Sequence, residues 1–137
     1  MRSNTNSLEE TEELAGKIAK LLKEKHIAYL IGDLGSGKTT LSKFIAQKLG
    51  FTNFKLKSPT YNYIRKYEQD GKKLYHIDLY RIEELDQLLK MEIDEICEEQ
   101  NAFVLIEWAD RIKEKHQSST TINLSYIDET TRKIEIS

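Results

Sequence analysis

Ile27-Ala28-Tyr29-Leu30-Ile31-Gly32-Asp33-Leu34-Gly35-Ser36-Gly37-Lys38-Thr39-Thr40 decides the fold. Its first five residues form an unbroken apolar run, the length of a strand covered on both faces. From Gly32 onward it satisfies G-x-x-x-x-G-K-[ST] at every fixed position: Gly32, Gly37, Lys38 and Thr39. Glycines there let backbone N–H groups turn onto phosphate oxygens where a Cβ would crowd them. In this pattern the lysine reaches the β- and γ-phosphates and the hydroxyl of the next residue ligates Mg²⁺. Leu41, Phe44, Ile45 and Leu49 follow at helical spacing, and Gly50 stands where a helix should stop. Strand, glycine loop and helix in this order set phosphates over a helix N-terminus.

Upstream, residues 1–6 are polar and are expected to be disordered. Ser7-Leu8-Glu9-Glu10 matches a capping box, with Ser7 as N-cap and Glu10 at the third helical position. The helix it starts carries Leu14, Ile18, Leu21 and Leu22 on one face. Its acids crowd the beginning and its lysines the end, the order a helix dipole favours.

Downstream, residues 51–59 show no period and read as a connection. Residues 61–67 alternate aromatic and β-branched side chains, Asp70-Gly71 signals a two-residue turn, and residues 74–78 form the return strand of a hairpin. Ile82, Leu85, Leu88 and Leu89 predict a helix, and Ile93 and Ile96 a second short one. Residues 102–106 are a second buried-strand run, ending in Glu107, and residues 121–136 read as a closing hairpin turning at Asp128-Glu129-Thr130. The sum is an α/β chain of the P-loop NTPase type. Two apolar runs imply a parallel centre, alternating strands imply antiparallel edges, and helices cover both faces. The length of 137 residues fits one domain spanning 1–137.

Charge is nearly balanced, with 21 Lys and Arg against 23 Asp and Glu. That argues against nucleic-acid binding through a broad basic face. Cys97 is the sole cysteine, so no disulfide forms within the chain and a reducing compartment fits. No apolar run approaches membrane-spanning length, and a cytoplasmic protein is expected.

A phosphate loop needs an acid at the end of a neighbouring strand to hold Mg²⁺, directly or through water. Glu107, after four apolar residues, fits. Asp78 ends the other candidate strand, and spacing alone leaves it open between a site acid and an ordinary strand-end acid. Ser58-Pro59-Thr60 is open between a turn and a segment whose hydroxyl approaches the γ-phosphate. His26, His76 and His116 have no metal-ligand spacing with one another or with Cys97, and read as surface or satisfied core groups. Trp108 reads as a core or interface residue.

Four segments together resemble one family. Gly32 to Thr40, Lys-Ser-Pro-Thr-Tyr at 57–61, His-Ile-Asp-Leu-Tyr-Arg at 76–81 and Leu-Ile-Glu-Trp at 105–108 stand in the order and spacing of the TsaE, or YjeE, family. That family comprises small bacterial ATPases of tRNA threonylcarbamoyladenosine synthesis. The resemblance implies that Lys38 binds phosphate, Thr39 binds Mg²⁺, Glu107 is the Walker B acid near the metal, and Asp78 lies beside the γ-phosphate and Mg²⁺. Ser58-Pro59-Thr60 matches a switch-like loop and Trp108 a tryptophan beside the nucleotide. The implied ATP contacts are Leu34, Gly35, Ser36, Gly37, Lys38, Thr39, Thr40, Thr60, Trp108 and, from the final hairpin, Arg132. The implied catalytic set is Lys38, Asp78 and Glu107, with Thr39, Asp78 and Glu107 at the metal. The implied partners are TsaD-like and TsaB-like proteins, with tRNA held by them. Two departures stand out: no glycine near Lys90-Met91, and Ala109 where many members have proline.

Arg65 and Arg81 are the arginines nearest the motifs by sequence, and neither is obviously placed to act on the γ-phosphate in cis. The rival readings are a small-molecule kinase, disfavoured by the lack of an arginine-rich lid, and a GTPase, disfavoured by the absence of Asn-Lys-x-Asp. A module that holds nucleotide as an assembly signal stays open.

Overall fold

The two apolar runs lie side by side in the centre of a sheet. The computed structural model describes residues 1–33, 36–52, 63–112 and 114–137. Along the chain these form β1 (Arg2–Thr5), α1 (Leu8–Lys25), β2 (Ile27–Gly32), α2 (Lys38–Lys48), β3 (Ile64–Gln69), β4 (Lys72–Asp78), α3 (Gln87–Cys97), β5 (Ala102–Glu107), a 3₁₀ turn (Ala109–Arg111), β6 (Ser119–Tyr126) and β7 (Arg132–Ile136). The described strands make one seven-stranded sheet in the order β1-β7-β6-β2-β5-β4-β3. The pairs β6/β2, β2/β5 and β5/β4 are parallel, while β3, β7 and β1 add antiparallel. The parallel block is thus wider than the two apolar runs alone. Each alternating strand, β4 and β6, pairs parallel on its inner side and antiparallel on its outer side.

Alternation along β2 divides the core. Ala28 and Leu30 face α1 and α2, together with Leu74, Leu105, Ile122 and Leu124. Ile27 and Tyr29 face α3, together with Ile77, Val104 and Ile106. Helices therefore cover both faces, as the pattern implies.

Local signals explain where elements begin and end. The Ser7 hydroxyl accepts from the Glu10 N–H at 3.2 Å, and the Glu10 carboxylate reaches back to the Asn6 N–H at 2.6 Å. Gly50, at φ +101°, closes α2. Its N–H donates to the Gln47 carbonyl and that of Phe51 to the Ala46 carbonyl, the paired bonds of a Schellman stop. Asp70 and Gly71, at φ +54° and +77°, form the tight turn between β3 and β4.

Two expectations are corrected. Residues 2–5 are not loose: they pair antiparallel with β7, from Arg2 opposite Glu135 to Thr5 opposite Arg132. The pairing partner lies at the far end of the chain, and a polar four-residue edge strand has no local signature. The two helices expected across 82–96 are one, starting at Gln87 with Asp86 as N-cap, whose carboxylate accepts from the Leu89 N–H at 2.8 Å. Ile82 and Leu85 precede that helix in irregular chain and pack on the same core. Their helical spacing reflects a shared destination, not a helix. No break occurs at Lys90-Met91, which agrees with the lack of glycine there.

Candidate functional site

Three parallel strands, β2, β5 and β4, deliver their carboxyl ends to one place. In an open α/β sheet that edge is where ligands bind. β2 ends in Gly32, and α2 starts again at Lys38. A Cβ on Gly32 would lie 2.6 Å from the Leu124 carbonyl and 2.7 Å from Ser36 Oγ, so only glycine fits. Gly37 sits at φ +99° as the N-cap of α2 and offers no capping side chain. The first N–H groups of α2 are left for another acceptor. Leu34 and Gly35 lie outside the described residues, as do Ser58, Pro59 and Thr60.

Lys38 is buried, at 5% exposure. Its ammonium donates to the Gly32 carbonyl, to the Asp33 carbonyl at 2.9 Å and to Ser36 Oγ at 3.4 Å. Burial pushes its pKa down, and Glu107, Asp33 and Asp78 push back without cancelling that effect. Nζ lies 4.1 Å from the Trp108 ring centroid. Trp108 stands at φ +58°, a conformation that costs a bulky residue roughly 1–3 kcal/mol. This turn directly after β5 brings the indole over Lys38, and the Tyr80 ring lies 5.0 Å from it.

Thr39 Oγ1 donates to Glu107 Oε1 at 3.0 Å. Glu107 is 2% exposed, and its second oxygen accepts from His76 Nε2. Burial pushes the Glu107 carboxyl up, but the His76, Thr39 and Lys38 interactions outweigh it and hold the pKa below the ordinary range. Asp78 sits opposite Glu107 in the β4/β5 register. It is exposed, and its Oδ1 accepts from the Tyr80 N–H at 3.0 Å.

Next to the loop a cleft of about 240 Å³ is lined by Ser36, Gly37 and Thr40 on one side and by Ser7, Thr11 and Arg132 on the other. Arg132 stacks on Tyr126 at 4.8 Å and donates to the Asp128 carbonyl at 2.6 Å. Its Nε passes within 3.8 Å of where a Gly37 Cβ would be. Among the described side chains, the arginine brought to the loop is Arg132 of β7. Arg65, on β3, and Arg81 are exposed.

The family model for threonylcarbamoyl adenosine biosynthesis protein TsaE matches residues 5–134. The chain belongs to the TsaE family. The TsaE of Aquifex aeolicus is 37% identical over 131 residues, covering 95% of this chain and 90% of that protein. The TsaE of Haemophilus influenzae is 38% identical, covering 87% and 75%. The crystal structure of Bacillus subtilis YdiB superposes with a TM-score of 0.74 at 31% identity, covering 98% of this chain and 82% of that one. TsaE proteins carry tRNA threonylcarbamoyladenosine biosynthesis in their name, and that process is this chain's setting.

Within this TsaE chain the described site brings together Ser36, Gly37, Lys38, Thr39, Asp78, Glu107 and Trp108, with Thr40 and Arg132 along the cleft. Sequence reading missed His76, taking it as a surface or satisfied core group. A signal was present: His76 and Asp78 are two apart on a strand and so share a face. A magnesium ion suits the donor set, which is all hard oxygen from Thr39, Asp78 and Glu107. Among the described residues no three His, Cys, Asp or Glu side chains converge as a metal cluster. Mg²⁺ does not require one, because it keeps waters and substrate oxygens as ligands. Among the described residues no helix is long and apolar enough to cross a membrane.

Proposed function

We propose that this chain is an ATP hydrolase that binds ATP with Mg²⁺ and hydrolyses it to drive turnover of a TsaB–TsaD transferase complex. That complex would modify position 37 of ANN-decoding tRNAs, with tRNA held by the partners and the whole assembly in the cytoplasm. The observation that carries the reading is the Thr39–Glu107 hydrogen bond. It ties the hydroxyl at the start of α2 to the acid ending the neighbouring strand, beside Lys38, which is the arrangement a phosphate-loop hydrolase uses around its metal.

The bound Mg²⁺ would supply charge neutralisation at the β- and γ-phosphate oxygens. The chain's own groups do the rest. The free N–H groups of α2 and the Lys38 ammonium offer donors to phosphate. Thr39, Glu107 and Asp78 would hold the metal, and either acid would position the attacking water. Trp108 walls the site beside Lys38. Thr40 and Arg132 line the cleft that continues from the loop and would receive the rest of the nucleotide, and Leu34, Gly35 and Thr60 complete the proposed contacts. Arg132 Nη1 donates to the Asp128 and Thr131 carbonyls of the β6–β7 turn, and completion of the γ-phosphate charge is assigned to a partner. Such completion is worth roughly 10³–10⁵ in rate.

Steady-state ATP hydrolysis by the pure chain, with and without cognate TsaB-like and TsaD-like proteins, tests the reading. Slow hydrolysis alone and a large rise with the pair are expected. Tight ATP binding with no rise overturns the hydrolase reading in favour of a nucleotide-held assembly module.

A further inference from the structure

We propose that His76 is the positioning residue for Glu107, fixing its carboxylate so that Oε1 stays on the Thr39 side where the metal is held. The proposal rests on the nucleotide-and-magnesium reading above and adds a residue to it.

Glu107 has two oxygens, and each is met by one donor from a different element. Oε1 takes the Thr39 hydroxyl of α2 at 3.0 Å, and Oε2 takes His76 Nε2 of β4. The register explains the second contact. β4 runs parallel to β5 with Asp78 opposite Glu107 and His76 opposite Leu105, so His76 reaches Glu107 diagonally along the face it shares with Asp78. Because a carboxylate only accepts, the His76 ring must carry its proton on Nε2. The Glu107 side chain is 2% exposed and that of His76 21%, so solvent has little access to the carboxylate. A buried carboxylate with one oxygen unpaired rotates to find a partner, and rotation carries Oε1 off Thr39. Groups that hydrogen-bond to a metal-ligating side chain are worth about 10–100-fold in metal affinity.

The chain supplies its own probe. Trp108 is the single tryptophan, and its ring lies over Lys38. Its fluorescence should report ADP binding with and without Mg²⁺. In the wild type, Mg²⁺ should tighten ADP binding. His76→Leu should lose about ten-fold of that Mg²⁺-dependent gain, while ADP binding in EDTA stays within about two-fold of wild type. His76→Gln carries an N–H at a reach similar to Nε2 and should restore most of the gain. His76→Asn is equally polar but its N–H falls a bond short, so it should behave like His76→Leu. That variant keeps the test decisive if the leucine chain does not fold.

A Mg²⁺-dependent gain unchanged in both His76→Leu and His76→Asn overturns the proposal. So does equal loss of ADP binding with and without Mg²⁺, which marks a merely structural histidine. A wild type whose ADP binding ignores Mg²⁺ sinks the underlying reading and this proposal together, and is recognisable before any variant is made.

Discussion

The β4–β5 pair holds a doubly hydrogen-bonded glutamate at each end, and the two ends are built differently. At the amino end, Glu99 takes the Lys73 ammonium at 2.5 Å and the Tyr75 hydroxyl at 2.6 Å. At the carboxyl end, Glu107 takes Thr39 and His76. The chemistry is alike, but the settings are not. Glu99 is 27% exposed, and both its donors come from β4. It clips the segment after α3 to the strand beside it. Glu107 is 2% exposed, draws donors from α2 and β4, and has Asp78 and Lys38 beside it. A carboxylate that joins three elements at a strand's carboxyl edge is placed for the proposed chemistry. One that joins neighbours at the opposite edge holds chain.

Glu107→Ala should produce the largest difference between the two ends. It should leave nucleotide binding in EDTA in place, lose at least the roughly ten-fold of Mg²⁺-dependent binding that His76→Leu loses, and lower kcat by about 10²–10⁴-fold, the range for losing a general base toward the reacting water. The same change at Glu99 should leave kcat as it is. Single-turnover ATP hydrolysis reads both, and undiminished turnover in Glu107→Ala removes Glu107 from the catalytic set.

Lys38→Ala comes next. Hydrogen bonds to charged groups contribute about 1.5–3 kcal/mol, so nucleotide affinity should fall roughly 10–100-fold. Lys73→Ala, the cation of the other glutamate, should leave affinity alone. Isothermal titration with ADP and Mg²⁺ separates the two lysines.

These two ends also differ in how legible they were. Features made by neighbours in sequence could be read directly: the Ser7 cap, the Gly50 stop, the Asp70-Gly71 turn, and the Gly32 and Gly37 positions at the end of β2 and the start of α2. Glu107 was legible because an acid after an apolar strand gains meaning once the loop is present. His76 was not, because its role depends on register with β5, which no local pattern sets. The pairing of residues 2–5 with β7 and the replacement of a first helix by irregular chain at Ile82 and Leu85 were hidden for the same reason. Both depend on what the sheet and core bring together across the chain.

A smaller effect follows from acid. Both glutamates are held below the ordinary carboxylate value of 4.5. At Glu99 burial raises the pKa while Lys73 and Tyr75 lower it further; at Glu107 His76, Thr39 and Lys38 do the same against burial. A carboxyl with a depressed folded value binds protons more readily when unfolded. Its contribution is full above the unfolded value and is lost as pH falls through the folded one. Melting temperature should therefore decline below about pH 5. Glu107→Gln should flatten that decline more than Glu99→Gln, because solvent screens the more exposed pair. Equal flattening would mean that burial at the carboxyl edge carries no extra electrostatic weight.

The smallest effect should come from Glu99→Gln near neutral pH. Lys73 is solvent-exposed enough that its ion pair with Glu99 falls among surface pairs, worth about 0–1 kcal/mol. The Tyr75 hydroxyl, whose pKa is pushed up to about 12 by burial and by Glu99, stays protonated and can donate to a glutamine oxygen as it does to the carboxylate. Thermal unfolding should shift by no more than a few degrees, the shift expected from about 1 kcal/mol in a chain of this size. ADP binding should not change. A loss of ADP affinity in Glu99→Gln would show the two ends of the β4–β5 pair to be coupled through the strands, and the division between a holding end and a working end would fail.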